Sequence, residues 1–286
     1  MSNRRLIARE ATAAALRTRL SVGYGLDHAV SVYDLAQKLG IEVRFLDLPS
    51  MEGMYLSVST PTIIVSSLRP PGRRAFTCAH ELGHHNQSDG VDIDELVGQW
   101  DNPRFDPKEF MADCFAGALL MPKLAVSKAF ALRGWSMEDC TPEQAFMVAG
   151  YFGVGYATLV HHLRSALQVL PGMRARTLLR VGSRKAQSLL LGWYASQTAL
   201  VLDTHWIGRA VDVEVGDLIL VLGGAQPESV CLEPFSDIEQ GSIFIATSPG
   251  VGRLEAGNSW STFVRVSRRG YVGRALYRHW EEAGDG

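Results

Sequence analysis

Cys78-Ala79-His80-Glu81-Leu82-Gly83-His84-His85 is the stretch on which the fold and chemistry of this chain turn. It contains His-Glu-x-x-His. On a helix, residues four apart share a face, so His80 and His84 can reach one common point. Each can give a nitrogen to a single zinc ion at about 2.0–2.1 Å. Glu81 follows the first histidine and can take a proton from zinc-bound water, whose pKa the metal lowers to about 7. In a chain of 286 residues with 8 His, composition alone yields roughly 0.01 such pentads, which favours a metal-site motif.

Two histidines do not close a catalytic site, which usually has three protein ligands and a water. Carboxylates follow at Asp89, Asp92, Asp94, Glu95, Asp101, Asp106, Glu109 and Asp113. The first four sit on an acidic, Gly-containing stretch expected to be a solvated loop. Glu109 opens a small-residue helix that stops before Pro122 and can pack closely on the motif helix. Glu109 and Asp113 share a face at i, i+4, so one can be the third ligand while the other hydrogen-bonds a ligand histidine.

Working outward, helical spacing predicts helices over 8–20, 31–39, 73–86 and 108–120, the second ending at Gly40. Short alternating or β-branched runs predict strands at 41–45, 54–58 and 62–65. Thr141-Pro142-Glu143 is a helix start, and Gly153-Val-Gly155 then separates two helices, a helix-turn-helix-like shape over 141–170. Between Glu143 and Asp203 there is no acidic residue, against six basic ones: Arg164, Arg174, Arg176, Arg180, Arg184 and Lys185. Beyond residue 186 the texture is of strands and turns, with runs at 210–215, 218–222, 229–232, 242–247 and 260–266.

Phe76-Thr-Cys-Ala-His80-Glu81-Leu-Gly-His84 and Glu109-Phe-Met-Ala-Asp113-Cys-Phe-Ala-Gly-Ala-Leu-Leu-Met-Pro122 together resemble the ImmA/IrrE family of zinc peptidases. Val32-Tyr-Asp-Leu-Ala-Gln-Lys-Leu-Gly-Ile-Glu-Val and the Glu52-Gly-Met-Tyr55 turn extend the likeness over roughly 8–170. The resemblance implies His80, His84 and Glu109 as ligands and Glu81 as general base. It implies a protein substrate, a helix-turn-helix (XRE-type) repressor whose cleavage derepresses stress, prophage or mobile-element genes.

The fold class expected is therefore α+β: a zincin-like peptidase domain over 1–170, a basic linker over 171–186, and a β-rich recognition or sensor domain over 187–286. A chain ended near Pro171 is expected to keep its zinc site. Asp113 is expected to support a ligand histidine. Tyr55 is a candidate donor to the tetrahedral oxyanion. Zn2+ is the expected cofactor, and Mn2+ or Fe2+ suit the same donors. The rival reading is a DNA- or partner-binding regulator, or a toxin–antitoxin component, with a silent or structural metal. Its second helix carries Arg164 as the one long basic side chain, so direct DNA reading is the weaker expectation. His161 and His162 are adjacent and do not share a helix face, which excludes them as a second metal pair.

The apolar share of 47% and net charge of −2 exclude disorder as the dominant state. No run of 18 clean apolar residues and no apolar segment behind the basic start predict a cytoplasmic protein without a membrane partner. Cys78, Cys114, Cys140 and Cys231 lack any CxxC spacing, so they read as free core thiols.

Overall fold

The computed structural model describes residues 2–86, 92–95, 106–256 and 260–280. It is a mixed α+β fold. The N-terminal half runs α1 (Ser2–Ser21), α2 (Val32–Lys38), β1 (Glu42–Leu46), β2 (Met51–Leu56), β3 (Thr62–Ser66), α3 (Pro71–Asn86), β4 (Asp92–Glu95), α4 (Pro107–Leu120), α5 (Lys123–Ala131), α6 (Pro142–Phe152) and α7 (Tyr156–His161). A π-helical turn at His162–Ala166 and then α8 (Gly172–Leu191) lead to the strands β5 (Ala199–Leu202), β6 (Val211–Glu214), β7 (Leu218–Leu222), β8 (Gln226–Glu228), β9 (Leu232–Ile238), β10 (Gly241–Ala246), β11 (Gly250–Ala256), β12 (Trp260–Ser267) and β13 (Gly273–Arg274).

Local chemistry accounts for the boundaries. Ser31 caps α2 by accepting from the Asp34 N–H, and Asp106 caps α4 from the Lys108 N–H, with Pro107 in the first turn. Thr141 and Gln144 form a capping box at the start of α6, which ends on Gly153 in the left-handed region.

The first sheet has the order β13-β1-β3-β2-β4. β1 and β3 are parallel, and β2 runs antiparallel between β3 and β4. α3 packs on β2 and β3, α4 packs on α3, and α1 packs on α4. The motif helix is thus a buried middle layer. The segment expected as a turn at Glu52–Tyr55 is strand, with an irregular register against β4 between Met51 and Met54. A second sheet, β5-β7-β10-β9, and a third, β6-β12-β11-β8, share one core that includes Ile219, Val221, Phe244, Leu254, Trp260 and Val264. The other face of the second sheet presents Leu218, Leu220 and Ile243 to Met147, Leu190 and Leu191 of α6 and α8. β7 is buried on both faces, which is why it reads as an unbroken apolar run.

Residues 171–186, expected as a linker, are helix. α8 packs on α6 and α7 and kinks at Gly182 (φ 73°, ψ 167°). Ala175, Leu178 and Ala186 are buried along it, a helical spacing hidden by intervening arginines. The strand expected at 229–232 begins only at Leu232. The chain then returns: β13 pairs antiparallel with β1, and Ala275 belongs to the N-terminal core.

Charged contacts lock the two halves. Arg74 of α3 forms a buried ion pair with Glu214 of β6. Arg265 bridges Asp34 at 2.9 Å and Asp212 at 2.8 Å, and Arg278 lies 3.2 Å from Asp212. Arg133 grips Asp203 with two bonds of 2.7 and 2.9 Å, and Tyr151 sits between the guanidinium groups of Arg133 and Arg209. The helix-turn-helix-like segment packs one face into this assembly: Tyr156, Leu159 and Val160 of α7 are buried, while Ala157, His161 and Arg164 are exposed. Pro107–Ala131 is long and apolar enough to cross a membrane, but 61% of that window is buried inside the molecule.

Candidate metal centre

Close packing creates the site. A Cβ on Gly83 would lie 3.0 Å from the Ala112 Cα, so the absence of a side chain there lets α3 and α4 meet backbone to backbone. Glu109 of α4 is thereby carried onto His80 and His84. Their Nε2 atoms are 3.1 Å apart. The Glu109 oxygens lie 3.2 Å from His80 Nε2 and 3.3 Å from His84 Nε2.

Three donors around a tetrahedral ion with bonds of about 2.0–2.1 Å stand roughly 3.3–3.4 Å from one another. The observed separations fit that requirement, so this His/His/carboxylate group can hold a divalent cation. Hydrogen bonds to His80 and His84 keep the Glu109 carboxyl well below the usual carboxylate range, so it is ionised as a ligand must be.

Asp113 accepts a 3.0 Å hydrogen bond from His80 Nδ1. With a metal bound, a carboxylate there would hold the proton on Nδ1 and free the Nε2 lone pair for the ion. Glu81 is fully buried on the face of α3 turned to β2. A Cβ on Gly53 would sit 2.4 Å from Thr77 Cγ2 and 3.1 Å from Glu81 Oε1, so the missing side chain lets β2 lie close against α3 beside this carboxylate. Cys78 is also fully buried, and burial together with the nearby Glu81 pushes its thiol up, leaving it protonated and inert.

Tyr55 lies on β2 with its hydroxyl 2.7 Å from His85 Nδ1. The structure therefore pairs it with His85, whose own pKa burial lowers. Asp106 serves as the α4 cap. Asp89 and Asp101, and the side chains of Asp92, Asp94 and Glu95, lie outside the described residues. His162 is buried on Met121 O at 2.9 Å, while His161 faces outward.

Sequence reasoning missed two supports. Gly53 looked like a strand boundary. Arg19, wholly buried, donates to Leu119 O at 2.8 Å, Gly25 O at 2.7 Å and His28 O at 2.6 Å, tying the end of α4 to α1. Its only sequence signal was an arginine at a core position of α1.

Two histidines one helical turn apart and a carboxylate from a second helix form a group that could hold a metal ion, with the buried Glu81 next to His80 on the same helix. Residues 36–164 match the model of the M78 peptidase family, described as the IrrE N-terminal-like domain, so this segment is similar to that family. No curated protein gives a significant match. Among solved structures, a Mycobacterium tuberculosis transcriptional regulator is similar with 24% identity and a TM-score of 0.38, over 58% of this chain and 49% of that one. This chain thus spans about half the length of that protein.

Proposed function

We propose that this protein is a zinc-dependent endopeptidase acting on a protein substrate. The observation that carries the reading is the meeting of His80, His84 and Glu109 within 3.3 Å of one another, with Glu81 buried on the same helix. A bound zinc ion supplies a Lewis acid and an acidified water. Glu81 takes the proton of the attacking water and delivers it to the leaving amine. His80 is held in its tautomer by Asp113, and the carboxylate of Glu109 balances part of the ion's charge. A site built for structure alone would be closed by four Cys or His ligands. Among the described residues, this one offers two histidines and a carboxylate.

The family match over 36–164 supports a peptidase. The finer reading, cleavage of an XRE-type repressor that derepresses its genes, rests on the resemblance of the two motifs. It is tested by co-expression with the repressor encoded beside this gene, comparing wild type with Glu81→Gln. The variant should keep fold and metal, since Glu81 is not a ligand, and leave the repressor intact. Cleavage at the wild-type rate would refute the assignment of the base.

A further inference from the structure

The outward face of α8 has no part in the metal centre or in the sandwich core. Met173, Arg176 and Arg180 fall on one side of its first segment at i, i+3 and i+7, and all are exposed, Met173 by 76%. After the Gly182 kink, Lys185 and Leu189 continue outward. Arg184, Lys185, Ser188 and Leu189 then border a shallow notch closed by Gly192, Trp193 and Tyr194. Tyr194 is 72% exposed.

Among the described residues, Arg176, Arg180 and Lys185 face no carboxylate. Arg73, Arg74, Arg133, Arg265 and Arg269 each have one. No acidic residue exists from 144 to 202, so none lies on α8 or next to it in sequence. A face that leaves cations unneutralised beside the exposed Tyr194 ring and the half-buried Trp193 is complementary to a polyanion that also carries flat aromatic groups.

We propose that this face binds single-stranded nucleic acid, with the backbone phosphates on Arg176, Arg180 and Lys185 and a base stacked at the Trp193–Tyr194 notch. An acidic polypeptide would satisfy the cations but not the rings. A duplex would keep its bases away from the notch. A groove of cations beside exposed aromatics is the arrangement by which unpaired strands are held without sequence preference. The helix bearing these residues is packed on α6 and α7, so the binding face is carried by the core and not by α7 itself. This inference does not depend on the peptidase reading.

The test is fluorescence anisotropy of a labelled 20-nucleotide oligothymidylate with the full chain across a salt series. Binding should weaken steeply with salt. The triple variant Arg176→Ala/Arg180→Ala/Lys185→Ala should flatten the slope of log affinity against log salt by about 2. Tyr194→Ala should weaken binding about tenfold and leave the slope unchanged. All four side chains are exposed, and circular dichroism with zinc content verifies that the variants fold. If the triple variant misfolds, Tyr194→Ala alone decides. Absence of binding, tighter binding of a 20-base-pair duplex, or equal capture of polyglutamate or of phosphatidylserine vesicles overturns the proposal.

Discussion

Glu109→Ala and Asp113→Ala, one turn apart on α4, should weaken zinc binding by very different amounts. Glu109 supplies one of three donors, each about 3.2 Å from the next. Zinc bound by four protein ligands is worth about 10–16 kcal/mol, or roughly 3 kcal/mol per ligand. Losing Glu109 should therefore cost on the order of 100-fold in affinity, at about 1.4 kcal/mol per tenfold. Asp113 acts only through its 3.0 Å bond to His80 Nδ1 and is 60% exposed. Supporting carboxylates of this kind contribute about 10–100-fold. Water screens an exposed one, so the loss should fall near tenfold. Asp113→Asn, which keeps an acceptor oxygen without the charge, should lie between the alanine variant and wild type. The assay is competition for zinc with a chromogenic chelator at neutral pH, alongside far-ultraviolet circular dichroism. A larger loss for Asp113→Ala than for Glu109→Ala, or wild-type affinity in Glu109→Ala, would refute the assignment of ligand and support.

Three further outcomes follow from the fold. Arg19→Met leaves the carbonyls of Leu119, Gly25 and His28 without their donor; at about 1–3 kcal/mol each, offset by no longer burying a cation, the net loss should be about 3 kcal/mol. That corresponds to roughly 6–12 °C in melting temperature, and an unchanged melting temperature in Arg19→Met sinks the clamp. Burial pushes His162 down to about 4, against about 6.5 when unfolded. The unfolded chain then binds the extra proton, so stability should fall as pH drops from 6.5 to 4, by about 3 kcal/mol in full. Asp217, pushed up to about 6, works in the opposite sense, and His162→Gln should flatten the acid limb of denaturant midpoints measured against pH. A chain ended after Leu170 loses β13, Ala275 and the Glu214 partner of buried Arg74, so it should fail to fold cooperatively, against the expectation from sequence that it keeps its zinc site; a sharp thermal transition with bound zinc would contradict this.

What could be read from the sequence was whatever depends on local spacing. The four-residue interval of His80 and His84 and the small-residue character of 112–118 need no tertiary knowledge, and both lie where spacing puts them. α2 to α4 and β1 to β3 carry strong periodic patterns and were legible to within about three residues, whereas α1 begins six residues before the stretch read as helical. α8 was not. Its buried Ala175, Leu178 and Ala186 are separated by arginines that look like a solvated linker until the surface beneath them is known. The contacts that join the two halves were not legible for a related reason. Gly273-Arg274 is too short to announce itself as a strand, and its pairing with β1 joins positions far apart in the chain. The Arg74–Glu214 pair is equally silent, since two isolated charges carry no spacing.

The return of β13 to the edge of the first sheet has a consequence for the order in which the molecule comes into being. On the ribosome, His80, His84 and Glu109 emerge early, while the strand that flanks β1 is made only after the whole sandwich between them. Synthesis at about 5–20 residues per second leaves the nascent N-terminal half with an open sheet edge and Arg74 without Glu214 for on the order of ten seconds or more. The residues able to hold a metal thus leave the ribosome well before the strand and the ion-pair partner that close the half of the molecule carrying them.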